Sequence, residues 1–287
     1  MKNLSGKTAV ITGASSGMGR AMAVEFGRQG MNVVLVAVSE QKLEDAAAAV
    51  RATGARALPV KCDVSDRPAM FRLAERVFSE FGAVHLLCNN AGVTTVGPFA
   101  DHRPGDWDWV YDVVFKGVAN GIQAFYPAMI KQKEGHILNT GSQAGLVPDW
   151  TLYHGPYTAA KAAVTALTTA LRPEAAMHGV GVSLLIPAYV PTDILGSARS
   201  RTAAYGEAIS TEMTTPSVRS DAPAPIPGSK FMVEPEEVAQ MVVRGVKAND
   251  AFIVTHPGLK PIVADYFGRI LSAYDAAAKA EGIATTG

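Results

Sequence analysis

Lys7-Thr-Ala-Val-Ile11 is followed at once by Thr12-Gly-Ala-Ser-Ser-Gly-Met-Gly19, and a helical stretch then runs on to Gly30. The first run is short, apolar and partly β-branched, which is the composition of a buried strand. Gly13, Gly17 and Gly19 let the backbone turn tightly and come close to a ligand, and the free N–H groups of the first helical turn offer a site for a pyrophosphate. Strand, turn and helix together read as a dinucleotide grip. Its Gly-x-x-x-Gly-x-Gly spacing fits the commoner Gly-x-Gly-x-x-Gly fingerprint only loosely. A rival reading uses the same residues: Gly13-Ala-Ser-Ser-Gly17 matches the Gly-x-Ser-x-Gly elbow of a serine hydrolase, with Ser15 as nucleophile. Against it, this elbow follows the first strand of the chain, and the six histidines are scattered without a supporting pattern.

Outward from the grip, strands and helices alternate. Asn32-Val-Val-Leu-Val-Ala-Val38 is a second strand, apolar enough to be buried on both faces as parallel strands are. Ser39 and Glu40 then start a helix that Gly54 ends. A third strand over 57–62 leads through Asp63-Val-Ser65 into a helix over 66–81, and a fourth, 84–88, ends in Asn89-Asn-Ala-Gly92. A helix over 106–132, a fifth strand over 135–140 and a helix from Pro156 to about residue 178 follow. A sixth strand is predicted at 180–187, a helix at 235–249 and a seventh strand at 252–255. This alternation, with no hairpin signal, predicts a single α/β domain over 1–287, built on a doubly wound parallel sheet whose ligand site lies at the carboxyl ends of the strands. Gly13, Ala37, Asp63, Asn90 and Ser142 all fall at those ends.

The totals narrow the partners. Lys plus Arg (26) equals Asp plus Glu (26), so no general field draws the chain to nucleic acid or an anionic membrane. Hydrophobic residues make up 48%, ample for a large core. Cys62 and Cys88 stand in no metal spacing and read as buried thiols, which suits a cytoplasmic location. No run approaches a membrane span and no apolar leader is present, so a small molecule or another copy of the chain is the expected partner.

Pro156-Tyr157-Thr-Ala-Ala-Lys161 opens the helix after strand five. Tyr157 and Lys161 are four apart and share one helical face, and an ammonium near a phenol favours the phenolate, which suits Tyr157 to acid–base work near neutral pH. Ser142, after strand five, stands where it can hydrogen-bond the same substrate oxygen.

At this point the chain resembles the short-chain dehydrogenase/reductase family over residues 4–195, with five motifs in the family's order. Residues 12–19 look like its cofactor turn, which would place Gly13, Ser15, Ser16, Gly17, Met18 and Gly19 against the dinucleotide. Asp63 and Val64 are similar to its adenine-contacting pair, and Asn90, Ala91 and Gly92 to its strand-four motif. Asn139-Thr-Gly-Ser142 and Tyr157-x-x-x-Lys161 look like its catalytic serine and Tyr/Lys pair. Pro187-Ala-Tyr-Val-Pro-Thr192 resembles the stretch that covers the nicotinamide, through Pro187, Val190 and Thr192. The resemblance implies hydride transfer between a nicotinamide and a carbinol or carbonyl carbon. Tyr157 would exchange the proton, Lys161 would lower its pKa and hold the ribose, and Ser142 would polarise the oxygen. It also implies a homodimer or homotetramer through the two long helices.

Three departures qualify the carry-over. In place of the family's Asn-x-x-Gly the chain has Val114-Phe-Lys-Gly117, and Val cannot hold the water that links Lys161 to solvent. A slower or rerouted relay is expected, with Val114→Asn raising turnover, and the alternative is a dinucleotide-binding protein with weak or no catalysis. Ala188 replaces the Gly that commonly follows the proline. Position 37 is Ala, where NAD enzymes carry an acidic residue on the ribose, so nothing repels a 2′-phosphate. Ser39 with Arg20 or Lys42 is available to contact one, although Val38 replaces the Arg of many NADP-preferring relatives. NADP(H) is therefore favoured and NAD(H) possible.

Residues 196–232 are rich in Ala, Ser, Thr and Pro and lack periodicity, so they read as a substrate lid with a short helix near 201–209. Val93, Phe99, Trp150, Leu152, Tyr153, His154 and Tyr189 suggest an apolar, aromatic pocket for a neutral, bulky secondary alcohol or ketone. His154 reads as pocket wall rather than base, Trp107 and Trp109 as helix packing, and the tail carries a helix over 264–279.

Overall fold

The computed structural model describes residues 1–209 and 217–283. The chain begins β1 (Thr8–Thr12), α1 (Gly17–Arg28), β2 (Asn32–Ala37), α2 (Glu40–Arg51), β3 (Ala57–Lys61), α3 (Arg67–Phe81) and β4 (Leu86–Asn89). It continues through α4 (Pro104–Tyr111), a single π turn (Asp112–Lys116), α5 (Gly117–Gln132), β5 (Gly135–Thr140), α6 (Gln143–Leu146), β6 (Thr151–Leu152) and α7 (Gly155–Met177). The remainder is β7 (Val180–Ile186), two 3₁₀ turns at Asp193–Ser200 and Ala203–Tyr205, β8 (Ser217–Val218), α8 (Pro235–Ala248), β9 (Phe252–Val254) and α9 (Lys260–Ala280).

Seven strands form one sheet in the order β3-β2-β1-β4-β5-β7-β9, and every pairing in it is parallel. The reason lies in the sequence: β1 and β5 are buried at every residue, as strands covered by helices on both faces must be. Leu35, Phe26, Val238 and Val242 fill the layer on one face, and Val34, Leu87, Phe125 and Ile137 the layer on the other. Strand order reverses between β1 and β4, which opens a crevice at their carboxyl ends.

The predicted sheet therefore forms, with the expected sixth and seventh strands as β7 and β9. Two features depart from the reading. The expected single helix over 106–132 is α4 and α5 joined by the π turn, in which the Gly117 N–H reaches back five residues to the Asp112 carbonyl. One antiparallel pair also exists, Thr151 opposite Val218 and Leu152 opposite Ser217, too short for any alternation to announce it. It ties the stretch before α8 to the loop that follows α6. Of the expected lid, the short helix near 201–209 is the 3₁₀ turn Ala203–Tyr205, the stretch Asp193–Ser200 before it is also 3₁₀, and residues 210–216 lie outside the described residues.

Candidate active site

The crevice between β1 and β4 is the mouth of a cleft of about 510 Å³. Its floor is the turn between β1 and α1. Gly13 sits at φ +65°, where an added Cβ would stand 2.9 Å from Ala91 Cα, and a Cβ on Gly19 would lie 2.2 Å from the Gly13 carbonyl oxygen. Only bare backbone fits there, so the turn presents N–H groups instead of side chains, which is the shape and chemistry a pyrophosphate requires. Ser15, Ser16, Gly17 and Met18 line the same floor.

Hydrogen bonds between strands hold the walls. Thr12 Oγ1 accepts from the backbone N–H groups of Asn90 (2.9 Å) and Ala91 (3.0 Å), while Asn90 Nδ2 donates to the Thr12 carbonyl at 3.1 Å. Thr140 Oγ1 donates to Asn90 Oδ1 at 3.2 Å, so β1, β4 and β5 are stitched together at the cleft. Asn90, Ala91 and Gly92 line it beside Ala37 and Ser39 from the end of β2 and Asp63 and Val64 from the end of β3. Asp63 Oδ1 accepts from the Ser65 N–H (2.9 Å) and hydroxyl (2.7 Å), fixing that turn, and Asn120 Nδ2 grips the Val64 carbonyl at 2.8 Å.

Tyr157 and Lys161 project from the first turns of α7 into this cleft, and Pro187 and Thr192 close its far side. Ser142 caps α6, its hydroxyl accepting from the Ala144 N–H at 3.2 Å, and it hydrogen-bonds Tyr157. It is not among the cleft-lining residues. Neither is Val190, which packs against the hydrophobic layer of α1 and α8. Arg20 lines a separate groove with Glu25, Arg28 and Glu236, whereas Lys42 and Ser39 line the cleft. No histidine among the described residues lines the cleft that holds Ser15, which removes the hydrolase reading.

The electrostatics differ from the sequence expectation. Lys161 Nζ donates to the Thr140 carbonyl at 2.5 Å and lies 5.6 Å from the centre of the Tyr157 ring. Burial pushes the Tyr157 phenol up to about 12 against the opposing pull of Ser142, and pushes Lys161 down to about 7. Desolvation therefore outweighs the ammonium's attraction for the phenolate in the ligand-free protein. His154 stacks on Tyr157 with ring centroids 4.4 Å apart and planes 10° from parallel. Burial drives it down to about 4, so it is a neutral wall that holds the phenol ring, with Nε2 hydrogen-bonded to Thr94 Oγ1.

Val114 lies in the π turn, fully buried among Val93, Trp109 and Tyr157. The expectation for Val114→Asn gains a second side. The new amide sits in an apolar cluster, so the variant loses about 1–3 kcal/mol of stability for an unsatisfied polar group, read by denaturant melts, while a restored relay raises turnover. A rate at or below wild type removes the relay account of this position.

Several contacts have no sequence mark. Ser197 on the first 3₁₀ turn donates to the Thr94 carbonyl at 3.2 Å and accepts from the Thr94 N–H at 3.0 Å, pinning that turn to the site wall. Arg201 Nη1 meets Asp106 Oδ1 at 2.7 Å, with both side chains almost fully buried. Asp193 Oδ2 lies between Lys42 Nζ (3.8 Å) and Arg199 Nη2 (3.7 Å), and all three residues line the cleft. Of the expected substrate pocket, Val93 lines the cleft, Phe99 and Trp107 form a tilted pair, and Trp150 meets Tyr189 at 5.4 Å beside a second, apolar cavity of about 350 Å³. Trp109 packs as expected, and it also lines the cleft.

The family described as short chain dehydrogenase matches residues 7–203. A C alpha-dehydrogenase of Sphingobium sp. (strain NBRC 103272 / SYK-6) is 33% identical over 275 residues, spanning 94% of this chain and 87% of that protein. A crystal structure of a short chain dehydrogenase/reductase from Burkholderia phymatum in complex with NAD superposes with a TM-score of 0.80 at 36% identity, covering 92% of this chain and 93% of the other. A metagenomic short-chain oxidoreductase in complex with NADP does so with a TM-score of 0.68 at 31% identity, covering 88% and 96%.

Proposed function

The chain belongs to the short-chain dehydrogenase/reductase family, and from that membership we propose that it moves a hydride between a nicotinamide dinucleotide and a neutral, bulky, apolar or aromatic secondary alcohol or the matching ketone. The observation that carries this reading is the convergence of a bare glycine cradle, a buried Tyr157 and a buried Lys161 on one cleft, with Ser142 hydrogen-bonded to Tyr157. The residues fit the cofactor. Gly13, Ser15, Ser16, Gly17, Met18 and Gly19 would hold the pyrophosphate, Ala37, Ser39, Asp63 and Val64 the adenosine half, and Asn90, Ala91, Gly92, Lys161, Pro187 and Thr192 the nicotinamide half. When bound, the nicotinamide supplies hydride chemistry at its C4.

The chain's own groups supply position and protons. Tyr157 gives its phenolic proton to the substrate oxygen in reduction and recovers it in oxidation. Ser142 donates a hydrogen bond to the same oxygen, and stacking on His154 holds the phenol in place. Lys161 sits one turn behind, where its ammonium stabilises the phenolate. Val93, Trp109, Val113 and Ile194 give the reacting end of the cleft an apolar wall that suits the bulky part of the substrate, whereas Trp150 and Tyr189 line a separate cavity. The lid is residues 196–232 within a single domain, and the assembly is a homodimer or homotetramer in the cytoplasm.

NADP(H) is the favoured dinucleotide. Ala37 places no carboxylate at the end of β2, and Lys42 and Ser39 line the cleft beside it. Lys42→Glu therefore weakens NADPH binding by about tenfold, about 1.4 kcal/mol, and leaves NADH nearly unchanged. Fluorescence titration of both dinucleotides checks this, and equal losses for the two would overturn the assignment. The activity itself is tested by a panel of ketones scored through NADPH absorbance alongside calorimetric titration of both dinucleotides. Binding without turnover on any ketone favours the second reading, a dinucleotide-binding protein, which rests on Val114 and Ala188.

A further inference from the structure

α9 leaves the body of the protein. Ile262 is buried at its start, Val263 and Tyr266 pack against the cluster of Val147, Trp150 and Leu259, and Asp265 and Arg269 join Arg219 and Asp149 in an ion network. Beyond that anchor nearly every residue is exposed, including Phe267 (42%), Ile270 (40%), Leu271 (64%) and Tyr274 (72%). An isolated surface leucine needs no explanation, but four large apolar side chains at i, i+3, i+4 and i+7 form one stripe that is exposed among the described residues.

The stripe has the register of a helix–helix seam. With Phe267 as a, Ile270 is d, Tyr274 a and Ala277 d, while the flanking e and g positions are Leu271, Ala273, Ala278 and Ala280. Every charge of the two heptads, Arg269, Asp275 and Lys279, falls at b, c or f and points away from the seam. Flanks without charge carry no code for a different partner.

We propose that α9 is a self-association surface that pairs antiparallel with α9 of a second copy of this chain. Phe267 opens the stripe and Ala277 closes it, so reversing one copy sets a large side chain against a small one at each end of the seam. With the axis at residue 272, each a meets a d of the other copy: Phe267 faces Ala277, and Ile270 faces Tyr274. The antiparallel arrangement also opposes the two helix dipoles and closes as a two-fold pair, with no free end to propagate. Area supports the same occupant. At roughly 200 Å² for a fully exposed large apolar residue, the four side chains offer about 400 Å² per copy. The pair thus hides about 800 Å², and more than about 1,000 Å² once the alanines and Ile283 are included, the size of a specific contact. This surface is separate from the α5 and α7 faces invoked for family-like assembly, and it does not depend on the dinucleotide.

Light scattering after gel filtration, across a wide concentration range, tests it. Wild type is expected at twice the mass of Leu271→Glu and of Ala277→Glu, with dinucleotide binding and circular dichroism unchanged in both variants because both side chains are exposed and lie outside the cleft. Ala273→Cys, near the axis, is expected to crosslink with a short bis-maleimide, and Ala280→Cys, at the far end, is not. Native Cys62 and Cys88 are buried and stay silent. A monomeric wild type, a mass that ignores both charge substitutions, or crosslinking only at position 280 overturns the proposal. So does a mass unchanged in Leu271→Glu with loss of binding to phosphatidylglycerol vesicles, which would make the occupant a lipid surface.

Discussion

Tyr157→Phe is expected to lower kcat by about 10³-fold, in the range a positioned general acid contributes, with the dissociation constant for the dinucleotide unchanged. The substitution removes one hydroxyl and keeps the ring, so packing against His154 and the cluster of Val93, Val114 and Trp109 survives. Only the proton and its link to Ser142 are lost. The direction of the reaction sharpens the test. The phenol keeps its proton up to about pH 12 in the ligand-free protein, so carbonyl reduction starts from the correct protonation state across the neutral range. Alcohol oxidation needs the phenolate, and its rate in the wild type climbs with pH while the reduction rate does not. Single-turnover absorbance changes with NADPH and with NADP⁺ read both directions. Turnover in Tyr157→Phe above about a tenth of wild type would transfer the proton to another group, and a weakened dinucleotide would make Tyr157 a binding residue instead.

Arg201→Met carries the largest expected effect on stability. Asp106 is completely buried and accepts from Arg201 Nη1 at 2.7 Å, from the Arg103 N–H at 2.9 Å and from the Ile209 N–H at 3.3 Å. The guanidinium also donates to the Tyr205 carbonyl at 2.6 Å and lies 5.3 Å from the Trp109 ring centre. Removing it leaves the buried carboxylate with two backbone N–H donors but no compensating charge, at a cost of about 3–5 kcal/mol. The 3₁₀ turns at Asp193–Ser200 and Ala203–Tyr205 hang on this contact and on Ser197, so the loss is expected as local opening before global unfolding. Trypsin cleaves Arg201→Met within 193–209 far faster than wild type, and the substrate KM rises more than kcat falls. Asp106→Asn in the Arg201→Met background removes the stranded charge and recovers most of the stability. Proteolysis at the wild-type rate would show that this segment is held by other contacts.

The parallel sheet was legible because its strands are buried on both faces and read as near-continuous apolar runs between helices, and the cleft followed because such sheets bind ligands where strand order reverses. What escaped was either too short or too far apart. β6 and β8 have two residues each and cannot display a period. Arg201 and Asp106 stand 95 positions apart, and neither residue type advertises burial. Lys42 was legible as a cation near the end of β2, but its neighbour Asp193 arrives from the far end of the cleft. Four-residue spacing correctly set Tyr157 and Lys161 on one face, yet it carries no information on desolvation, which decides their proton affinities in the ligand-free protein. Val114 was legible as a departure from the family's Asn, but Val-Val-Phe gives no hint of a π turn.

That turn has a geometric consequence. An extra residue in one helical coil advances everything after it by about 100°, a little over a quarter of a revolution. One rod thus acquires two azimuths. Before the offset, Asp106 is aimed at Arg201 between the two 3₁₀ turns and Trp109 at Tyr157's neighbourhood; after it, Phe125 and Met129 are aimed at the strands and α3. Without the phase slip, a straight cylinder could satisfy only one of these two clients, and the other would meet a polar flank.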